Sequence, residues 1–269
     1  MIINFVQKKY FILLFIILSF TTYKLLYLEN SNKIENYLQT KTEHIYLEYK
    51  VIYNNHKKLA NFIFTNDINK KPIIDLFKNR DRENLLKYLN DDYKNLRLFN
   101  IRQLHFHLPN NNSFLRMHRP NKFGDSLTKD RLTVKYVNEE KEYIDGFEEG
   151  KVFNGFRFVY PLFDSKKHIG SVEISYSGLF FIKEIMKHYK LKTNLLISKK
   201  VVDKKVFDDE HSNYIDSFID GYYFQKSIAN YLNIDFSKNK LTKELSDSIK
   251  NSIEKGTPSS IYDEQNDRQ

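Results

Sequence analysis

Gln103-Leu-His-Phe-His-Leu-Pro-Asn-Asn-Asn-Ser-Phe-Leu-Arg-Met-His118 reads as a β-hairpin with two chemically different faces. Side chains alternate across a strand, and Pro109-Asn110-Asn111-Asn112 is a strong turn signal. A loop that sets Leu108 opposite Ser113 places His107 opposite Phe114, His105 opposite Arg116 and Gln103 opposite His118. These side chains then share one face. The other face collects Leu104, Phe106, Leu108, Leu115 and Met117 as core. A slip of one residue would exchange the faces. The polar face is cationic, rich in hydrogen-bond donors and has an aromatic wall, which suits a small anion.

Working outward, Gly155-Phe-Arg-Phe-Val-Tyr-Pro-Leu162 and His168-Ile-Gly-Ser-Val-Glu-Ile-Ser-Tyr176 read as paired strands joined by Phe163-Asp-Ser-Lys-Lys167. Arg157 leaves the apolar face of Phe156 and Phe158, Glu173 lies between Ser171 and Ser175, and an ion pair between them across the sheet is the economical reading. Before the hairpin, Glu29 to Asn66 lacks Gly and Pro and suits a long helix, with Ile34, Tyr37, Leu38, Ile45, Leu47, Tyr49 and Val51 apolar. Pro72 breaks it or starts a new helix. Asp81 caps a further helix to Leu98. Thr128 to Tyr143 and Phe180 to Tyr189 read as helices, and Gly146 to Gly150 as a turn. In the tail, Asn194–Ser198 and Gly221–Gln225 suit strands and Leu241–Ile253 a helix, with the last dozen residues frayed. The class is α+β with an antiparallel sheet.

Tyr10 to Leu28 is almost entirely apolar, and Lys8 and Lys9 precede it. Its length fits a membrane span with the lysines on the cytoplasmic side. A cleaved signal peptide is the alternative, but Thr21-Thr22-Tyr23-Lys24 offers a poor cleavage site. The expected organisation is a cytoplasmic tail (1–9), an anchor (10–28), a long helix (29–68), a ligand-binding module (69–189) and a second, membrane-proximal or incomplete module (190–269). Residues 30–269 then lie in the periplasm, anchored once in a bacterial inner membrane.

The chain of 269 residues has no Cys, which removes disulfides and Cys-ligated zinc. The net charge of +9 invites a nucleic-acid reading, but 34 acidic residues are intermixed and there is no basic stripe with interleaved aromatics. No nucleic-acid partner is expected.

Candidate ligand-binding residues are His105, His107, Phe114, Arg116, His118 and Asp125. Arg116 clamps a carboxylate, or pairs with Asp125 or Glu149. Phe114 forms a pocket wall, or ordinary core. Asp125 takes a ligand amino group, or holds Arg116. Arg131 reads as a surface charge. The His105-x-His107 pair with His118 has zinc-like spacing, but no second His pair or His-Glu-x-x-His motif supports a metalloenzyme. No catalytic residue, metal or cofactor is expected.

The wording of several motifs resembles the extracytoplasmic double Cache, PAS-like sensor domains of bacterial two-component sensor kinases and chemoreceptors. The residues are Phe106-His107-Leu108-Pro109, Ser113-Phe114-Leu115-Arg116-Met117-His118-Arg119-Pro120, Lys122-Phe123-Gly124-Asp125 and Arg131. Gly146-Phe147-Glu148-Glu149-Gly150, Gly155-Phe156-Arg157, Tyr160-Pro161-Leu162 and Ile169-Gly170-Ser171-Val172-Glu173 continue it. The resemblance covers roughly 30 to 225. It implies a PAS-like module on a long N-terminal helix, a small-molecule ligand in the sheet's concave face, and signalling through a second span. That span and any kinase, methyl-accepting or cyclase domain lie outside this sequence. A homodimer through the long helix is expected. The rivals are a periplasmic His-ligated metal-dependent enzyme and an interaction domain without a small ligand.

Overall fold

A computed structural model describes residues 5–188, 193–233 and 241–258. The expected frayed end and Tyr189 lie outside these residues. The chain divides into two compact units, residues 1–48 with 242–269, and residues 49–241.

Helix α1 runs Phe5–Ile63. Among the described residues it is the one helix long and apolar enough to cross a membrane, with a mean hydropathy of 2.0 over its most apolar window. Its apolar side chains there face outward, with Phe11 71% and Leu14 64% exposed. The same unit holds α8, Lys243–Lys255, which Thr242 caps by accepting from the Leu245 N–H.

In the second unit, the C-terminal part of α1 buries Ile52, Ala60 and Ile63. Phe64–Ile68 winds a π turn. Helix α2, Lys71–Lys78, carries Pro near its first position, where the missing N–H costs nothing. Helix α3, Arg82–Leu98, starts at Asp81, whose side chain accepts from the Asn84 N–H.

A five-stranded antiparallel sheet follows, in the order β2-β1-β5-β4-β3. The strands are β1 Gln103–His107, β2 Ser113–Arg116, β3 Ile144–Glu148, β4 Gly155–Asp164 and β5 Lys167–Tyr176. Register fixes the faces. Leu104 pairs Ile174 and Phe106 pairs Val172, while Phe158 pairs Ile174 and Tyr160 pairs Val172. This apolar face packs beneath α1, α2 and α3, where Tyr53 lies 5.8 Å from Phe158 and Phe64 stacks on Tyr160 at 4.2 Å. Each fully buried large apolar side chain stabilises by roughly 1.5–3 kcal/mol. Gly170 tolerates no side chain. Its φ is +143°, and a Cβ would lie 2.2 Å from the His107 carbonyl oxygen.

The expected helix over 128–143 is shorter in the structure, α4 Leu132–Glu140, and Ile144–Glu148 is an edge strand rather than a turn. Arg131 precedes α4 without a cap bond from its own side chain; Glu148 of β3 accepts from the Thr133 N–H instead at 3.1 Å. A tertiary contact thus takes over the work of a local cap, and the sequence pattern around Thr128 overstates the helix.

Helix α5 spans Gly178–His188. A smaller sheet, β6-β8-β7, then forms from β6 Leu196–Ser198, β7 Tyr214–Asp216 and β8 Tyr222–Gln225, with α6 Lys199–Lys205 and α7 Lys226–Leu232. Ile197, Val202, Val206 and Tyr214 form its core. The architecture is α+β, a long N-terminal helix on an antiparallel sheet with a second, smaller part.

Candidate ligand-binding site

The site grows from the polar face of the large sheet. Gln103, His105 and His107 on β1 pair with Ser175, Glu173 and Ser171 on β5, and Arg157 on β4 pairs with Ser175. All seven are buried. Buried charge must be paired to persist. Arg157 meets Glu173 at 2.5 Å and the Gln103 Oε1 at 3.1 Å. Arg131 reaches in from the start of α4, pairing with Glu173 and, at 2.8 Å, with Glu148. Arg131 is 6% exposed, so its reading as a surface charge is corrected: two carboxylates hold it in the sheet face.

Burial pushes the Glu173 carboxyl up, but Arg131, Arg157 and His107 outweigh it and hold it below the usual carboxylate range. Burial pushes the histidines the other way. His107 falls to about 3, with Glu173 opposing and Arg131 and Arg116 assisting. His118 also falls to about 3, and His105 falls well below its ordinary value, in both cases first by burial. All three imidazoles are neutral at pH 7. His105 Nε2 lies 2.8 Å from Ser113 Oγ and His107 Nδ1 lies 3.1 Å from Ser171 Oγ. His118 Nδ1 and His107 Nε2 are buried without a hydrogen-bond partner among the described residues.

Above this floor lies a cavity of about 70 Å3 lined by Gln103, His105, Arg116, His118, Arg119, Lys122, Asp125, Leu127, Lys151, Phe153 and Phe207 among others. The loop after β2 forms one wall. It folds back on the sheet through Ser113 N–H to Asp125 O (2.9 Å) and Gly124 N–H to Ser113 O (2.7 Å). Arg116 locks it, donating to both Asp125 oxygens at 2.7 and 2.9 Å and to the Lys122 carbonyl at 2.7 Å. The loop after β3 forms the other wall. Lys151 pairs with Asp130 at 2.9 Å, and the Phe153 ring lies 3.7 Å from the Arg102 guanidinium and 5.1 Å from that of Arg119.

The structure gathers His105, Arg116, His118 and Asp125 around one cavity. His107 lies on the same strand face but does not line it. Phe114 does not line it either. The expected pairing holds for His105 with Arg116, but a bulge then sets His107 opposite Ser113. Phe114 is the extra residue; it turns to the apolar side and packs on Phe77 at 5.1 Å. The expectation of Phe114 as a pocket wall is corrected to core, and Phe153 and Phe207 supply the aromatic walls. Arg119, Lys122, Lys151 and Arg131 were not singled out from the sequence as binding residues. A signal was present, since Arg116 to Asp125 holds Arg116, Arg119 and Lys122 against one acid.

His105, His107 and Glu173 place possible ligand atoms within 4.8 Å of one another, which is metal-like spacing. Two guanidiniums already hold Glu173. Their charge raises the cost of adding a divalent cation there.

A family model described as "Double sensory domain of two-component sensor kinase" (dCache_3) matches residues 35–218. The chain belongs to this family. The family is a sensory domain of two-component sensor kinases. Among solved structures, it is similar to a domain of a sensory box/GGDEF family protein from Vibrio parahaemolyticus (13% identity, TM-score 0.42, 56% of this chain and 64% of that one). It is also similar to the sensor domain of the V. cholerae histidine kinase DctB (12%, 0.39, 56% and 64%). A third is the sensory domain of the Campylobacter jejuni chemoreceptor Tlp3 with isoleucine bound (11%, 0.41, 76% and 76%). The chain spans less than two thirds of the first two of these structures. No curated protein sequence matches this chain.

Proposed function

We propose that this Cache domain senses a small anion bound in the cavity between the loops after β2 and β3. One observation carries the reading: two cations at the cavity, Arg119 and Lys122, contact rings but no carboxylate among the described residues. The other lining cations are compensated, Arg116 by Asp125, Lys151 by Asp130, and Arg131 and Arg157 by Glu148 and Glu173. The surplus positive charge faces a partly enclosed space that His118 also lines. An anion completes the pairing.

In this reading Arg119, Lys122 and His118 touch the ligand. Arg116 and Asp125 set the loop, and His105 and His107 support the floor. Ligand binding is a population shift toward the closed loops. The loop after β3 carries the change onward, because Phe207 of the smaller part donates to the Lys151 carbonyl at 3.0 Å. The sheet's other face meets α1, where Tyr53 donates to Asp145 and Lys57 pairs with it at 2.6 Å. Residues 10–28 anchor the chain in the bacterial inner membrane, with residues 30–269 periplasmic and α1 pairing two copies. Residues 69–189 form the ligand-binding module, and a kinase or chemoreceptor output reads its state.

A thermal-shift screen of the full chain in detergent micelles tests this. A ligand that binds the folded form alone raises apparent stability. Small organic acids raise the melting temperature of the native chain and have less effect on the Arg119→Gln, Lys122→Gln protein. Equal shifts in both proteins would refute the assignment.

A further inference from the structure

We infer that the cavity selects short carboxylates that carry no amino group and rejects their α-amino counterparts. This rests on the reading of the cavity as an anion site and names the anion's class.

The argument is one of donors and acceptors. An ammonium brings three N–H donors and no acceptor, so it needs oxygen partners. The carboxylates that line or underlie the cavity are already engaged. Both Asp125 oxygens receive Arg116, at 2.7 and 2.9 Å. Asp130, which lines the cavity, has its charge paired by Lys151 through Oδ2 at 2.9 Å. Glu148 accepts from Arg131 and from the Thr133 N–H and hydroxyl. Glu149, at the loop after β3, accepts from Gly150 N–H and Asn154. Glu173 takes Arg131 and Arg157. The Gln103 Oε1 accepts from Arg157 at 3.1 Å.

Donors, by contrast, are in surplus. Arg119 and Lys122 lack a carboxylate among the described residues, and a second positive charge placed beside them is repelled. A carboxylate takes N–H groups from both.

Size and wall chemistry narrow the class. The cavity has a volume of about 70 Å3 and opens to solvent, so it takes the head of a small ligand. A carboxylate on a few carbons fits this space. Leu127, Val152, Phe153 and Phe207 give an apolar wall for its tail, which inorganic phosphate does not use.

Isothermal titration of the full chain in micelles with matched pairs tests the inference: propionate against alanine, and lactate and pyruvate beside inorganic phosphate. The expected result is binding of at least one of the three carboxylates, with alanine at least tenfold weaker than propionate. Lys122→Glu changes an exposed side chain and is compatible with folding. It should weaken propionate at least tenfold and close the gap to alanine. Alanine within threefold of propionate on the native chain, or phosphate binding above all three carboxylates, would overturn the selectivity and leave the anion site standing. Failure of every anion to bind would overturn both.

Discussion

Replacing Glu173 by Gln keeps the volume of a fully buried side chain and removes its charge. Arg131 and Arg157 both lean on that carboxylate. In its absence they share only Glu148, which lies 2.8 Å from Arg131 and 3.6 Å from Arg157. Breaking a buried pair by removing one partner costs about 3–5 kcal/mol, because the surviving charge stays desolvated. A domain of this size is stable by about 5–15 kcal/mol in total. At about 2–4 °C per kcal/mol the melting temperature falls by roughly 6–20 °C. Circular dichroism melts of the full chain in micelles read the change. Removing one of the stranded cations as well, with Arg157→Met, should recover part of the loss.

The penalty has a pH signature. A carboxyl whose folded pKa is depressed contributes stability that is present above its unfolded pKa and lost as pH falls toward the folded value. The gap between wild type and Glu173→Gln therefore narrows as pH falls below about 4.3. A melting temperature within 2 °C of wild type at pH 7, or a gap that widens in acid, would refute the reasoning.

The buried neutral histidines give a second acid dependence. Their folded pKa values are lowered, so the unfolded chain takes up protons first and stability falls as pH drops below about 6.5. Each contributes about 1.4 kcal/mol per pH unit, and urea titrations at pH 7 and 5.5 should show His107→Gln with the shallower loss. Gly170→Ala places a Cβ against the His107 carbonyl and the Phe77 ring at positive φ, so it should cost about 3 kcal/mol or more, measured by urea unfolding. Tyr53→Phe removes the hydrogen bond to Asp145 and should cost about 1.5–3 kcal/mol, measured by urea unfolding. Arg116→Met frees the loop after β2 and should weaken anion binding about tenfold by titration calorimetry, with Arg119 and Lys122 still in place.

Much of the large sheet was legible because its strands alternate. The two faces of β1 and the cross-strand Arg157–Glu173 pair follow from a period of two. The caps at Asp81 and Pro72 are local, and the structure puts helices there. The bulge between Phe106 and His107 was not legible, since alternation alone carries no mark of an extra residue. That one residue separates Phe114 from the cavity. Strand β3 was hidden by Gly146, which reads as the start of a turn; its place is fixed by pairing with β4 and by the Tyr53 and Lys57 contacts of α1. Arg131 was misread because a charge at a helix start normally faces solvent, and only the sheet shows the acids waiting beneath it. The smaller part is built from short strands that carry too few residues to show a period.

The most direct test of the account is a crystal structure of the chain with the tightest-binding short carboxylate. The account predicts the carboxylate within hydrogen-bond reach of Arg119, Lys122 and His118, with the Arg116–Asp125 pair intact. A ligand seated elsewhere in the chain, or Arg119 and Lys122 turned to solvent while it is bound, would contradict it.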